Sequence, residues 1–239
     1  MTKRIRYGLP PADYYKGMLI HAAPGLHPLV EKLITDRMKS GSKIFDAGAG
    51  EGAFSQRLAD SGYQVTSADI NSTSFKASTK FVPMDFNKPE ELNAFAQIHK
   101  GTFDAVVCME VLEHIHNPWQ QIAFFKSLLK EKGMLVLSTP NTGSWLSRFL
   151  FFITGRMNHF QDEDLITSGH ITPLFDWQLQ HILQQNNFSN IEYHKTIKLP
   201  WYVASRSFLY NMAFLKAPFY RLFMQGRTRC DILLVTADC

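Results

Sequence analysis

An acid and three alternating glycines, Asp46, Gly48, Gly50 and Gly52, follow the short apolar run Ile44-Phe45. Glycine admits positive φ and leaves room where a Cβ would stand, so this spacing predicts a tight strand-to-helix turn with exposed backbone amides. A further acid, Asp69, ends the next apolar run, the position from which a carboxylate holds ribose hydroxyls. The glycines and Asp69 alone suit any nucleotide. Asp46 narrows the choice, because a carboxylate beside the turn repels a pyrophosphate and suits a ligand bearing an α-amino group. S-adenosylmethionine, a nucleoside joined to an amino acid through a sulfonium, is a ligand of that kind.

A second polar set, Glu110, Glu113 and His114, follows the apolar run Phe103 to Met109. One turn beyond a strand end, residues three and four apart reach the same side, so two carboxylates and an imidazole can converge on a divalent ion. His159 or His170, in the polar stretch from Asn158 to Thr172, would close such a set. The alternative is structural: Glu113 and His114 hold the loop beneath the ligand and no metal is bound. Both stay open on the sequence.

The elements that must position these residues alternate strand and helix. The strands are the run ending at Phe45, Tyr63 to Ala68, Lys80 to Phe86, Phe103 to Met109 and Met134 to Ser138; the fourth is apolar throughout, as a strand covered on both faces requires. Helices fall at His27 to Met38, closed by Ser40-Gly41, after Gly52 with Gly62 as its stop, and from Asn117-Pro118 to a stop at Gly133. Another is expected around Pro89 to Leu92, capped by Asn87 or Asp85. Further on, Trp145 to Ile153 reads as a helix, Asn158 to Thr172 as a loop, Leu174 to Asn187 as a helix, and Phe188 to Lys195 and Asp231 to Thr236 as strands. Residues 10–15 read as an extended arm leading into a short helix, with tyrosines that either cover a ligand or pack the arm down. The fold class is α/β, a doubly wound and mostly parallel sheet.

The chain has 239 residues, 45% hydrophobic and 19% charged, and can bury roughly 70–75% of its unfolded surface in a single core. The expectation is one domain over 1–239, with an N-terminal cover (1–41) and substrate-side insertions at about 141–175 and 197–229. A net charge of +4 with scattered basic residues gives no reason for a nucleic-acid partner. Cys108, Cys230 and Cys239 lie far apart with no zinc spacing, which fits a reducing cytoplasm. The basic N-terminus has no apolar core behind it and does not read as a signal peptide.

These motifs together, DAGAGEG, Asp69, CMEVLEHI with NP after it, STPN and GHITPL, resemble the class I S-adenosylmethionine-dependent methyltransferases, and among them the ubiquinone-biosynthesis O-methyltransferase type. The resemblance covers most of residues 43–188. It implies a Rossmann-like sheet of seven strands whose last strand runs antiparallel. It also implies that Gly48, Asp69 and Met109 touch the cofactor, and that Asp85 and Phe86 meet the adenine. The type's N-terminal pattern, with its cofactor-contacting arginine, has no counterpart in residues 1–40. The Glu-Glu-His arrangement is also similar to that of the small-RNA terminal 2′-O-methyltransferases, which keeps a metal-assisted RNA terminus as an alternative to a small, lipid-like or saccharide acceptor.

Methyl transfer from a sulfonium needs chiefly proximity and alignment, but a hydroxyl acceptor must also lose a proton. His114 and His170 are the candidate bases, each with an alternative role as a loop anchor. Two other classes stand beside this one: a nicotinamide-dependent oxidoreductase, for which Asp46 is out of place, and a binding protein without turnover. A surface reading concerns residues 144–153. Trp145, Leu146, Phe149, Leu150, Phe152 and Ile153 share one helical face, while Phe151 falls between Ser147 and Arg148 on the side expected to meet water. With the aromatic and basic stretch Trp201 to Arg229, this predicts either contact with an anionic membrane surface or a lid over the acceptor.

Overall fold

The structure, a computed structural model, describes residues 12–199 and 222–239. Its centre is a seven-stranded sheet in the order β5-β4-β3-β6-β7-β9-β8. The strands are β3 (Lys43–Ala47), β4 (Gln64–Asp69), β5 (Lys80–Pro83), β6 (Phe103–Met109), β7 (Leu129–Pro140), β8 (Ser189–His194) and β9 (Ile232–Asp238). β3 to β7 pair in parallel, whereas β9 runs antiparallel to both its neighbours. The Rossmann-like α/β class expected from the motifs, with its antiparallel last strand, is therefore the observed one.

The period of two along each strand splits the core into two halves. Ile44, Ala105, Val107 and Met134 face α1 (Leu26–Thr35) and α2 (Ala53–Asp60), where Val30, Ile34, Phe54 and Leu58 receive them. Phe45, Val106, Cys108 and Leu135 point the other way, into α3 (Pro89–His99), α4 (Pro118–Leu128) and α7 (Asp176–Gln185). Burial on both faces is the reason these strands read as apolar runs rather than as alternations. The strand ends nearest Ala47, Asp69 and Met109 consequently open on one rim, where an open parallel sheet binds its ligand.

Several local expectations are corrected. The arm near residue 14 is no helix but a hairpin, β1 (Tyr14–Tyr15) with β2 (Met18–Leu19), because Lys16 and Gly17 both take positive φ (49° and 79°), the conformation a two-residue turn demands. Tyr15 packs that hairpin on α2, donating to Asp60 at 2.7 Å beneath the Arg57 guanidinium. Helix α3 is capped by neither Asn87 nor Asp85, since its N-cap is Lys88 and Asn87 is engaged with the loop around His114. Gly133 does not stop a helix: α4 hands over directly to Leu129, and the glycine lies where β7 shifts register before resuming at Met134. The polar stretch 158–172 contains a helix, α6 (Asp162–Thr167), whose first turn is closed by Asp164 accepting from the Gln161 amide at 3.0 Å.

Helix α5 (Trp145–Thr154) forms where expected and stops at Gly155, with φ 70°. Its buried side differs from the helical-wheel reading. Ser147 is fully buried, holding the Asn158 amide at 3.1 Å, whereas Phe152 is 81% exposed although it shares the apolar wheel face. Only the N-terminal turns of α5 are embedded, so the wheel fails at the protruding C-terminal end. The expectation for Trp201 to Arg229 falls largely outside the described residues.

Candidate active site

One cavity of about 780 Å³ lies on the rim formed by the carboxyl ends of β3 and β6. The segment from Leu19 to His27 roofs it, the glycine turn forms one wall, and residues 158–170 with Asp231 form the other. It brings together Asp46, Gly48, Gly50 and Met109 on one side with Glu110, Glu113, His114 and His170 on the other. Gly52, Asp69, Asp85 and Phe86 are not on its walls. Asp69 lies next to the turn, where its carboxylate accepts from the amides of Gly50 (2.8 Å) and Asn71 (3.0 Å). Asp85 accepts from the Asn87 amide at 2.9 Å, and the Phe86 ring is buried in the core.

The turn is dictated by its glycines in a manner the sequence hid. Gly48 has φ 80°, and a Cβ there would stand 2.1 Å from Cγ2 of Val111, a residue of the loop after β6. The glycine amides are not free as expected. Those of Gly48 and Ala49 donate to the Ala68 carbonyl, that of Gly50 to Asp69, and that of Gly52 to the Ala49 carbonyl. With those four donors spent internally, none of the three glycine amides is left to face a ligand.

Asp46 is 2% exposed and accepts a hydrogen bond from Ser55, itself held by Ser67. Burial pushes its pKa up to about 6; the Ser55 hydroxyl opposes the shift and the nearby Asp69 carboxylate adds to it. A cation brought beside it would reverse that rise.

On the opposite wall, the 3-10 turn Leu112–His114 brings Glu113 and His114 to the cavity, with Leu112 in the core. One ligand atom each of Glu113, His114 and His170 lie within 4.8 Å of one another, and Glu110 is not in that group. His114 Nδ1 donates to the Gly169 carbonyl at 3.2 Å and His170 Nδ1 to the His159 carbonyl at 2.7 Å. A ring nitrogen facing a carbonyl must carry the proton, so in each neutral imidazole the lone pair is on Nε2. Burial lowers the pKa of both rings, for His170 with the positive potential of its histidine neighbours acting in the same direction. Glu113 is buried, accepts from Thr139 at 3.0 Å, and has its pKa driven well above the carboxylate range by burial and then by Glu110. Glu110, in the left-handed region at φ 55°, accepts from Ser138 at 3.0 Å, and burial lifts its pKa to about 7.

A third imidazole was not foreseen as part of a pair. His159 meets Asp231 across 3.1 Å, and Asn158 donates to the same carboxylate oxygen at 3.0 Å. Burial disfavours charge on His159, but Asp231 and then Glu110 outweigh it and hold the pKa above the ordinary value. Asp231 reaches the site through Asn141, whose side chain donates to the carbonyls of Arg227 (2.7 Å) and Cys230 (2.8 Å) just before it.

A family model described as a methyltransferase domain matches residues 19–193, which include the cavity's roof, its glycine turn and both histidines 114 and 170. The chain belongs to the methyltransferase-domain family. Among its relatives, the ubiquinone biosynthesis O-methyltransferase of Xanthomonas axonopodis pv. citri (strain 306) is 34% identical over 122 residues, 48% of this chain and 51% of that protein. The protein of the same name from Psychrobacter cryohalolentis is 34% identical over 123 residues, 48% of this chain and 47% of that one. The chain thus spans about half the length of the curated relatives it matches. Its fold is that of a methyltransferase from Archaeoglobus fulgidus, described as SAM dependent: TM-score 0.61 at 16% identity, over 90% of this chain and 95% of that one.

Within this methyltransferase domain, sequence reasoning missed Asp231 and the supporting hydroxyls of Ser138 and Thr139. Asp231 had no motif around it, and it meets His159 only because β9 is inserted beside β7. The STPN stretch carries part of the family resemblance, and its Asn141 also positions residues from the far end of the chain.

Proposed function

We propose that this chain transfers the methyl group of S-adenosylmethionine to a hydroxyl of a small, lipid-like acceptor. The observation that carries the reading is the two-walled cavity, with a buried carboxylate and glycine turn on one side and imidazoles bearing free Nε2 lone pairs on the other. The donor's ammonium goes to Asp46 and its ribose toward Asp69 beside the turn, with Asp85 at the adenine end and Met109 beneath; the Phe86 ring, buried in the core, backs that end without lining the cavity. The acceptor oxygen attacks the methyl carbon in line, the carbon–sulfur bond breaks, and sulfur keeps the electron pair as a neutral thioether. The hydroxyl proton passes to Nε2 of His114 or His170. Neutral rings with lowered pKa are competent bases at neutral pH.

A divalent metal fits the same residues. One buried carboxylate and two imidazoles in the Nε2 lone-pair tautomer are a donor set for a divalent transition metal, and the raised pKa of Glu113 is what an unbalanced buried carboxylate gives. Glu113, His114 and His170 would hold the ion, with Glu110 beside them, and its chemistry there is to acidify a bound hydroxyl.

The lipid-like acceptor has two supports. The relatives at 34% identity are named ubiquinone biosynthesis O-methyltransferases. A crevice of about 140 Å³ between Ala23, Pro24, Leu29 and Ile197 also continues from the cavity, sharing Ala23, Pro24 and Ile232 with it. Exposed apolar pairs on neighbouring segments, Phe151 and Phe152 on α5 and Leu222 and Phe223 beyond, suit contact with a membrane surface. Among the described residues no helix is long and apolar enough to cross a membrane.

The test is incubation with methyl-labelled S-adenosylmethionine and fractionated cell extract. Label in the lipid-soluble fraction is expected. Label confined to RNA or polysaccharide would reject the acceptor class, and no label in any fraction would reject turnover.

A further inference from the structure

His27 opens the first turns of α1 and is only 5% exposed, yet its ring borders the cavity. It packs at 4.9 Å and 59° on Phe54, the neighbour of the Ser55 that holds Asp46. Its Nδ1 is sealed from solvent without a hydrogen-bond partner, so Nε2 is the ring nitrogen left to serve the cavity. Nearby, the His21 ring lies across Gly50, where a Cβ would come within 3.1 Å of it. The roof over the glycine turn therefore presents imidazoles to the corner where Asp46 is buried.

The tautomer follows from the burial. A sealed N–H without an acceptor is rarer and costlier than a sealed lone pair, so the proton belongs on Nε2 and the bare lone pair on Nδ1. Burial, with Arg57 adding, lowers the ring's pKa to about 4, so it is neutral at physiological pH. The ring then offers the cavity one donor and no charge. A carboxylate oxygen accepts such a bond, and in an amino acid it accompanies the ammonium that suits Asp46.

We propose that His27 is a binding residue for the amino-acid end of the methyl donor, its Nε2–H donating to the ligand carboxylate while Asp46 takes the ammonium. The assignment rests on the donor reading given above and deepens it. It makes the roof segment part of the donor site, so that ligand and roof hold one another in place.

Calorimetry on the full chain with three probes tests this: S-adenosylmethionine, S-adenosylhomocysteine, and 5′-methylthioadenosine, which lacks the amino-acid end. His27→Phe keeps the ring on Phe54 and removes the unpartnered nitrogen, so its melting temperature should not fall. Its affinity for the first two probes should drop about tenfold or more, with 5′-methylthioadenosine unchanged. His27→Gln, which restores a donor, should recover part of the loss. Equal weakening of all three probes, or no weakening, overturns the assignment; a His27→Phe chain that unfolds does so too, because the ring would then be structural. Wild type binding none of the three would sink the donor reading, and this assignment with it.

Discussion

Replacing Gly48 by alanine puts a methyl group where Val111 already stands. The new Cβ would lie 2.1 Å from Val111 Cγ2, against 3.4–4 Å for ordinary contact, and the backbone at φ +80° is one that L-residues rarely adopt. The left-handed conformation costs about 1–2 kcal/mol for a residue with a Cβ. Overpacking against a neighbour that must shift adds about 1–3 kcal/mol, for a total of about 2–5 kcal/mol. The two contributions separate in a double-mutant cycle. Val111→Ala removes Cγ2 and leaves the Val111 Cβ at 3.3 Å, tight but within reach of a small adjustment. The double variant should therefore recover the overpacking share, a favourable coupling of about 1–3 kcal/mol, while the backbone share persists. Urea unfolding midpoints at constant m-value are the readout. A Gly48→Ala chain within about 0.5 kcal/mol of wild type, or a coupling of zero, would refute the argument that Val111 dictates this glycine.

Three further outcomes are expected. Because burial raises the Asp46 pKa to about 6, S-adenosylmethionine affinity should fall as pH drops below 6; the ligand-free fold should instead lose stability as pH rises from about 4 to 6, since the folded chain holds the proton more tightly than the unfolded one. Asp46→Asn should flatten both profiles, and a wild-type affinity constant from pH 7 to 5 would contradict this. If an ion held by Glu113, His114 and His170 acidifies the hydroxyl, excess chelator should abolish turnover and a divalent ion restore it, with Glu113→Gln inactive yet still binding donor; full activity in chelator removes the metal and leaves the imidazoles as the bases. Anionic liposomes should sediment wild type at low salt and less of Phe152→Glu at unchanged melting temperature, because that ring is 81% exposed; wild type remaining in the supernatant ends the membrane proposal.

The sequence by itself determined the sheet and the donor-side motifs. Apolar runs between glycine and proline stops are local signals, and the spacing of Asp46, Gly48, Gly50, Gly52 and Asp69 is a property of one strand-turn-helix-strand unit, readable without knowledge of anything distant. The strand from Phe103 to Met109 was legible to the residue for the same reason, since burial on both faces leaves no alternation to misread. Tertiary structure decided the rest. That Gly48 yields to Val111, that the turn's amides are spent on Ala68 and Asp69, and that His170 rather than Glu110 joins Glu113 and His114 all depend on loops meeting across the rim. Asp231 reaches His159 because the antiparallel β9 inserts beside β7 and Asn141 fixes the segment before it. Such contacts join residues tens of positions apart, and their geometry is set by sheet order and side-chain packing, for which linear spacing carries no signal.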